Sequence, residues 1–295
     1  MRYYTIKDLE RLSGIKAHTI RIWEQRYQLL TPERTDTNFR SYSDVELKRL
    51  LNVSNLIKNG HKISKVAKYN TEEINTHIKE IENSNNPDAS KKIWIDNIIQ
   101  SCITFDEISF EMIFSHCVTK IGFDSTLMDL IYPAMHKIGV LWGLDEVSPA
   151  QEHFVTNLIR KKILVAIDGM MPVLHRNSST YLLFLPQWEE HDLGLLYAYY
   201  LLRKGGYNVI YLGTTVPYEN LSDIDSSKFE GIVTFFIIND LEHDVPKYLS
   251  KLANDFADKK IFYAAGDYII NGKELPSTLN RLIHPSDLIN SLNKK

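Results

Sequence analysis

From Thr180 onward the chain alternates short apolar runs with helical stretches: TYLLFLP, YNVIYLG, GIVTFFII, KIFYAAG and finally RLIHPS, with a helix between successive runs. Strands separated by helices pair in parallel through crossover connections. Residues 176–295 are therefore expected to form an α/β, Rossmann-like parallel sheet. Such open sheets bind ligands outside the carboxyl ends of their strands. The loop after the first run reads Glu189-Glu190-His191-Asp192-Leu193-Gly194. It offers an imidazole, a carboxylate two residues earlier that can orient the ring, and a glycine that permits close approach to the backbone.

Three further segments precede the sheet. Residues 89–175 carry long apolar-periodic runs with few breakers, which predicts a four-helix bundle. Residues 71–88 run from a polar helix into NSNNPD, a turn-rich linker. Residues 1–70 are short helices broken by Ser-Gly and Thr-Pro. Thr5 can cap a first helix with Ile6, Leu9 and Leu12 on its buried side. Ser13-Gly14-Ile15 makes a tight turn, and HTIRIWEQRY from His18 to Tyr27 is a second helix. Ile20, Trp23 and Tyr27 share one of its faces. One helix bracing a second, whose N-terminal residues reach base edges, is the grammar of a helix-turn-helix.

Charge agrees with that division. Residues 1–70 hold 14 Lys and Arg against 7 Asp and Glu, a net of +7, so the remainder (20 against 30) carries −10. A basic head on an acidic body points to a polyanion met by the head alone. No run of apolar residues is long enough to span a membrane, and MRYYTIKDLE is no signal peptide. Two cysteines, Cys102 and Cys117, make neither a disulfide framework nor a metal site, so a cytoplasmic setting is expected.

The stretch from Trp23-Glu24-Gln25-Arg26-Tyr27 through Pro32, Arg34, Arg40 and Tyr42 to a helix starting near Ser43-Asp44 resembles the MerR family over about 70 residues. The resemblance implies an all-α winged helix-turn-helix head that binds a double-stranded DNA operator. It implies groove contacts from Thr19 and Arg21, with Arg26 divided between DNA and a surface ion pair. Backbone contacts would come from Tyr27, Arg40 and Tyr42. At Asn38-Phe39 the family's glycine-containing wing tip is missing. A homo-oligomer is implied as well, a dimer or, with cofactor, a tetramer. No heptads follow Ile63, so its contacts would lie mainly beyond residue 89, or form only on DNA.

The body resembles cobalamin-binding modules. Glu189-x-His191-x-x-Gly194 is a variant of their Asp-x-His-x-x-Gly, which implies His191 as an axial cobalt ligand. Trp142, followed after nine residues by Glu152-His153, resembles the light-responsive, cobalamin-dependent repressors of the MerR family. There the tryptophan covers an adenosyl group and the other two residues line its pocket, so adenosylcobalamin is the implied cofactor. Thr234-Phe235-Phe236 and Ala265-Gly266 stand where such modules place Ser-x-Leu and Gly-Gly for the nucleotide tail, and each adds bulk. Gly143 replaces a histidine that ligates cobalt after illumination, and His136 lies about two turns before Trp142. Three readings stay open: a probable repressor sensing adenosylcobalamin and light, a cofactor-independent repressor with a degenerate body, and a corrinoid enzyme subunit. The head disfavours the last.

Overall fold

The computed structural model describes residues 4–34, 40–82, 87–144, 147–171, 179–238, 243–270 and 272–293. The expected wing tip at Asn38-Phe39 and the NSNN part of the linker lie outside them. The chain divides into two compact units, Met1–Val155 and Thr156–Lys295.

In the first unit, α1 (Ile6–Ser13) and α2 (Ala17–Tyr27) are joined through Gly14, whose φ of 71° is the left-handed turn that glycine permits. Thr5 and Asp8 form a capping box on α1, each side chain accepting the other's backbone N–H. Strands β1 (Glu33–Arg34) and β2 (Arg40–Ser41) pair antiparallel, and Tyr4 bridges to Tyr42. The head is thus helical apart from this ribbon. Helix α3 (Asp44–Lys58) starts at the expected Ser43, boxed with Glu46. Short α4 (Ile63–Val66) and α5 (Thr71–Glu82) follow. Arg49 ties the group together by donating to the carbonyls of Leu29 and Tyr69. The core of the head is Leu9, Ile20, Tyr42, Leu47, Leu50, Val53 and Leu56, all fully buried.

At the end of α2, Gln28 adopts φ 51°, ψ 38° and its N–H caps Glu24 O. A side chain in this conformation costs roughly 1 kcal/mol that glycine does not bear. Gln28→Gly should therefore raise the stability of the head by up to about 1 kcal/mol. A lower denaturant midpoint in the variant would refute that assignment of strain.

The bundle consists of α6 (Pro87–Thr104), α7 (Glu107–Ile121), α8 (Phe123–Thr126), α9 (Tyr132–Gly143) and α10 (Pro149–Asp168). A π-helical turn, Leu127–Ile131, joins α8 to α9. Pro133 comes two residues after it: proline brings no N–H and its ring collides with the carbonyl four residues back, and the wider turn accommodates both. Helix α10 runs across the division between the units.

The second unit is a five-stranded parallel sheet: β3 (Thr180–Pro186), β4 (Asn208–Val216), β5 (Gly231–Phe236), β6 (Lys260–Ala265) and β7 (Leu279–Arg281), in the order β4-β3-β5-β6-β7. Helices α11 (Leu193–Lys204) and α14 (Pro285–Asn293) cover one face, packing on Tyr181, Leu183, Leu185 and Val233. Helix α12 (Val245–Asp255) covers the other, packing on Leu182, Phe184 and Ile232, and short α13 (Asp267–Ile270) follows β6. The last strand departs from expectation. The run RLIHPS was read as a strand, yet β7 ends at Arg281, because Asp287 accepts the N–H groups of Ile283 and His284 and draws them into the start of α14.

Candidate functional site

The strand order places a topological switch between β3 and β5, whose following helices lie on opposite faces. In open α/β sheets ligands bind in the crevice there. The Glu189–Gly194 loop leaves β3 at that point. Glu189 is fully buried, and its two oxygens divide their work. Oε1 meets Nδ1 of His191 at 2.7 Å and accepts the His191 backbone N–H at 3.1 Å. Oε2 accepts the N–H groups of Ile237 at 2.6 Å and Ile238 at 2.9 Å, just past β5. One carboxylate therefore staples the loops on either side of the switch. Burial alone would raise its pKa. The hydrogen bonds from the His191 ring, Ile238, Ile237 and the His191 backbone more than offset that and hold it below the ordinary 4.5.

Glu189 engages Nδ1 of His191, whose side chain is 55% exposed. A carboxylate-oriented, accessible imidazole is the arrangement of a metal-ligating histidine with its outer-shell partner. Among the described residues no group of three or more His, Cys, Asp or Glu could hold a bare ion. A cobalt already seated in a corrin ring needs only one such ligand, so the donor set fits a corrinoid.

The glycines fit less simply. Gly194 was expected to admit a ligand close to its backbone. Its open side is instead covered by Phe235, whose Cδ1 and Cε1 would stand 2.9 Å from an added Cβ. At Gly266 the Tyr268 ring lies where a Cβ would go, and its hydroxyl donates to Ile237 O at 3.1 Å. The close approaches that these glycines permit are taken by the chain's own rings. Thr234 is fully buried and its hydroxyl has no hydrogen-bond partner among the described residues. Beside this loop Arg160 grips Asp192 through Nε and Nη2, at 2.8–3.0 Å, fixing the start of α11.

In the first unit, Trp142 lies in the last turn of α9 with its side chain outside the core, 54% exposed. Gln151 is fully buried in the bundle, where its Nε2 donates to Ile103 O. Of the next two residues, Glu152 is half-buried and His153 faces outward. Glu152 meets His153 Nδ1 at 3.0 Å, and His153 is 73% exposed. Trp142 and this pair thus stand on either side of the connection from α9 to α10. His136 and Gly143 are exposed on α9.

The head provides the other candidate surface. Arg21 and Arg26 are exposed on α2, Arg26 lies over the Tyr27 ring, and Thr19 and Tyr27 are partly exposed. Trp23 belongs to the core with Ile20, as its apolar face implied. Tyr42 requires a correction. Expected on the DNA backbone, it is fully buried and donates its hydroxyl to Glu24 Oε2 at 2.9 Å. Burial first, and the Glu24 carboxylate second, push its pKa well above the ordinary phenol value. Arg40 engages the same residue, Nε to Glu24 Oε1 at 2.9 Å. Glu24 therefore locks the base of the ribbon to α2. In the sequence Glu24 stands within the motif with no visible role, because nothing local shows a partner 16 or 18 residues away.

Comparison with known proteins adds two domains and a fold. A family model for MerR helix-turn-helix regulatory proteins matches residues 4–73, and one for a B12 binding domain matches residues 94–167. The HTH-type transcriptional repressor CarH of Myxococcus xanthus is 27% identical over 223 residues, 75% of this chain and 74% of that relative. The HTH-type transcriptional repressor CarA of the same organism is 25% identical over 218 residues, 72% of this chain and 68% of that relative. A monomethylamine corrinoid protein of Methanosarcina barkeri shares the fold, with a TM-score of 0.55 at 12% identity over 68% of this chain and 98% of that one. Among the described residues no helix is long and apolar enough to cross a membrane.

Proposed function

The chain carries the helix-turn-helix domain of the MerR regulators and a B12 binding domain, and from that premise we propose that it is a DNA-binding transcriptional repressor whose body takes adenosylcobalamin as its signal. The observation that carries the cofactor reading is the Glu189-oriented imidazole of His191 at the switch point of the sheet. In this reading His191 would hold the cobalt. Trp142, Glu152 and His153 would line the adenosyl group. Gly194 would admit the corrin, and Thr234 and Gly266 would receive the nucleotide tail, once Phe235 and Tyr268 give way. Bound adenosylcobalamin supplies a light-cleavable cobalt–carbon bond. Gly143 carries no imidazole, so no second ligand comes from that position.

On the head, Thr19 and Arg21 face the groove, while Arg26, Tyr27 and Arg40 serve the DNA backbone. Tyr42 and Glu24 hold the ribbon, which acts as the wing. Two half-sites need two heads, and self-association of the body raises the effective concentration of the second.

The test mixes the protein with adenosylcobalamin in darkness, desalts it and records the corrin spectrum. Retention in the wild type and loss in His191→Ala is the expected result. Sedimentation before and after illumination then reads the light response. A second reading, a repressor whose body works without cofactor, is favoured by the rings packed on Gly194 and Gly266. It wins if no corrin is retained while operator binding persists.

DNA binding has its own measurement. Affinity should fall with salt, with a logarithmic slope of about 0.9 per phosphate neutralised. Arg40→Ala should lower that slope by roughly one such increment; an unchanged slope removes Arg40 from the backbone contacts.

A further inference from the structure

Helix α2 buries Ile20 and Trp23, and on its opposite side His18, Arg21, Ile22 and Gln25 are exposed. At about 100° per residue these four positions fall within roughly 100° of arc. The set is not random in chemistry. Arginine matches the acceptor pair of guanine, glutamine matches the donor and acceptor of adenine, and a branched aliphatic group matches only the C5-methyl of thymine. Ile22, 49% exposed, is the aliphatic member, with Gln25 one turn further along. A single exposed apolar side chain is ordinary on a protein surface. Its place between His18 and Arg26 on an otherwise polar face, on the helix that a helix-turn-helix lays in the major groove, is not ordinary. We infer that Ile22 is a specificity residue that reads a thymine methyl in the operator, beside an adenine read by Gln25.

The neighbourhood supports this. Residues of the head carry a net charge of +7, which brings the face to a polyanion without telling one base from another. Glu24, the one carboxylate on α2, is turned away onto Arg40 and Tyr42, so it does not repel phosphates from this face. The ring of His18 lies 3.3 Å from the Thr19 hydroxyl, at the start of the helix where the groove is entered. An A·T pair shows the adenine N6/N7 edge and the thymine methyl together in the major groove. Side chains one helical turn apart, about 5–6 Å between Cβ atoms, can share one such pair or read two neighbours.

The inference rests on the DNA-binding reading, and the experiment separates the two. Full-length protein selects duplexes from a random pool, and the recovered site is resynthesised with each thymine in turn replaced by deoxyuridine, which lacks only the methyl. One position per half-site should lose about four-fold in affinity, the effect of one buried methyl-sized group. Ile22→Ala should bind the thymine duplex correspondingly more weakly and be indifferent to deoxyuridine at that position alone. Ile22→Val, which keeps a branched group, should retain the discrimination. Ile22 is surface-exposed, so the variants are expected to keep the fold, and circular dichroism checks this. If Ile22→Ala shows the wild-type ratio between thymine and deoxyuridine duplexes, or if no thymine matters, Ile22 does not read a methyl. If no duplex is enriched at all, the regulator reading falls first and this one with it.

Discussion

Glu189→Ala should destabilise the C-terminal unit by about 4 kcal/mol and weaken corrinoid binding about 10- to 100-fold. The first figure follows from what the carboxylate holds. Three backbone N–H groups, of His191, Ile237 and Ile238, lose their acceptor together, and each buried donor left unpaired costs roughly 1–3 kcal/mol. Water reaching the loop offsets part of that sum. The second figure is the usual effect of removing the partner that orients a metal-ligating histidine. Denaturant unfolding reads the first quantity and corrin titration the second. Glu189→Gln separates them, because an amide oxygen still accepts from Ile237 and Ile238 while a charged acceptor for the His191 ring is gone.

The pH dependence has a definite sign. The Glu189 carboxyl titrates below its ordinary 4.5 in the folded protein. Its contribution is complete above pH 4.5 and is lost as pH falls from there through the lower folded value. Glu189→Gln should flatten the stability profile in that acid window. A variant as acid-labile as the wild type would show that another group sets the limit.

Glu24→Ala should reduce operator affinity at least ten-fold while leaving corrin retention unchanged. It removes the acceptor of a fully buried Tyr42 hydroxyl and of Arg40 Nε at once. The buried phenol then costs about 1–3 kcal/mol unpaired, and the ribbon loses its tie to α2. Glu24→Gln keeps one carbonyl oxygen and should fall in between. Fluorescence anisotropy on a labelled operator measures the loss. Equal affinities in wild type and Glu24→Ala would show that the ribbon is held some other way.

These effects also show how far the sequence reaches. Thr5, Ser43 and the glycine at position 14 act through neighbours three or four residues away, and local spacing reveals them. The strands from Thr180 to Ala265 declare themselves through apolar runs between breakers. Glu189 and His191 were legible because the motif is six residues long. The other half of Glu189's work, at Ile237 and Ile238, lies 48 and 49 residues away and depends on which strands become neighbours. The same holds for Glu24 with Arg40 and Tyr42. Tyr42 was misplaced because a tyrosine beside an arginine reads as a surface pair until the packing of the ribbon is known. Asp287 shortened the last strand through a cap that hydropathy does not register. Bulk is legible at Phe236 and Ala265, but that the rings of Phe235 and Tyr268 lie against Gly194 and Gly266 is a matter of packing and rotamers.

The continuity of α10 has a practical corollary for exchanging sensory modules between such regulators. Its first turns belong with the bundle through Gln151, and its later turns carry Arg160, which clamps Asp192 at the head of α11. A junction placed near residue 176, where the apolar pattern changes, would strand that arginine on the donor side and leave Asp192 without its guanidinium. Grafts that carry the helix whole, from Pro149, preserve the fastening and with it the posture of the His191 loop.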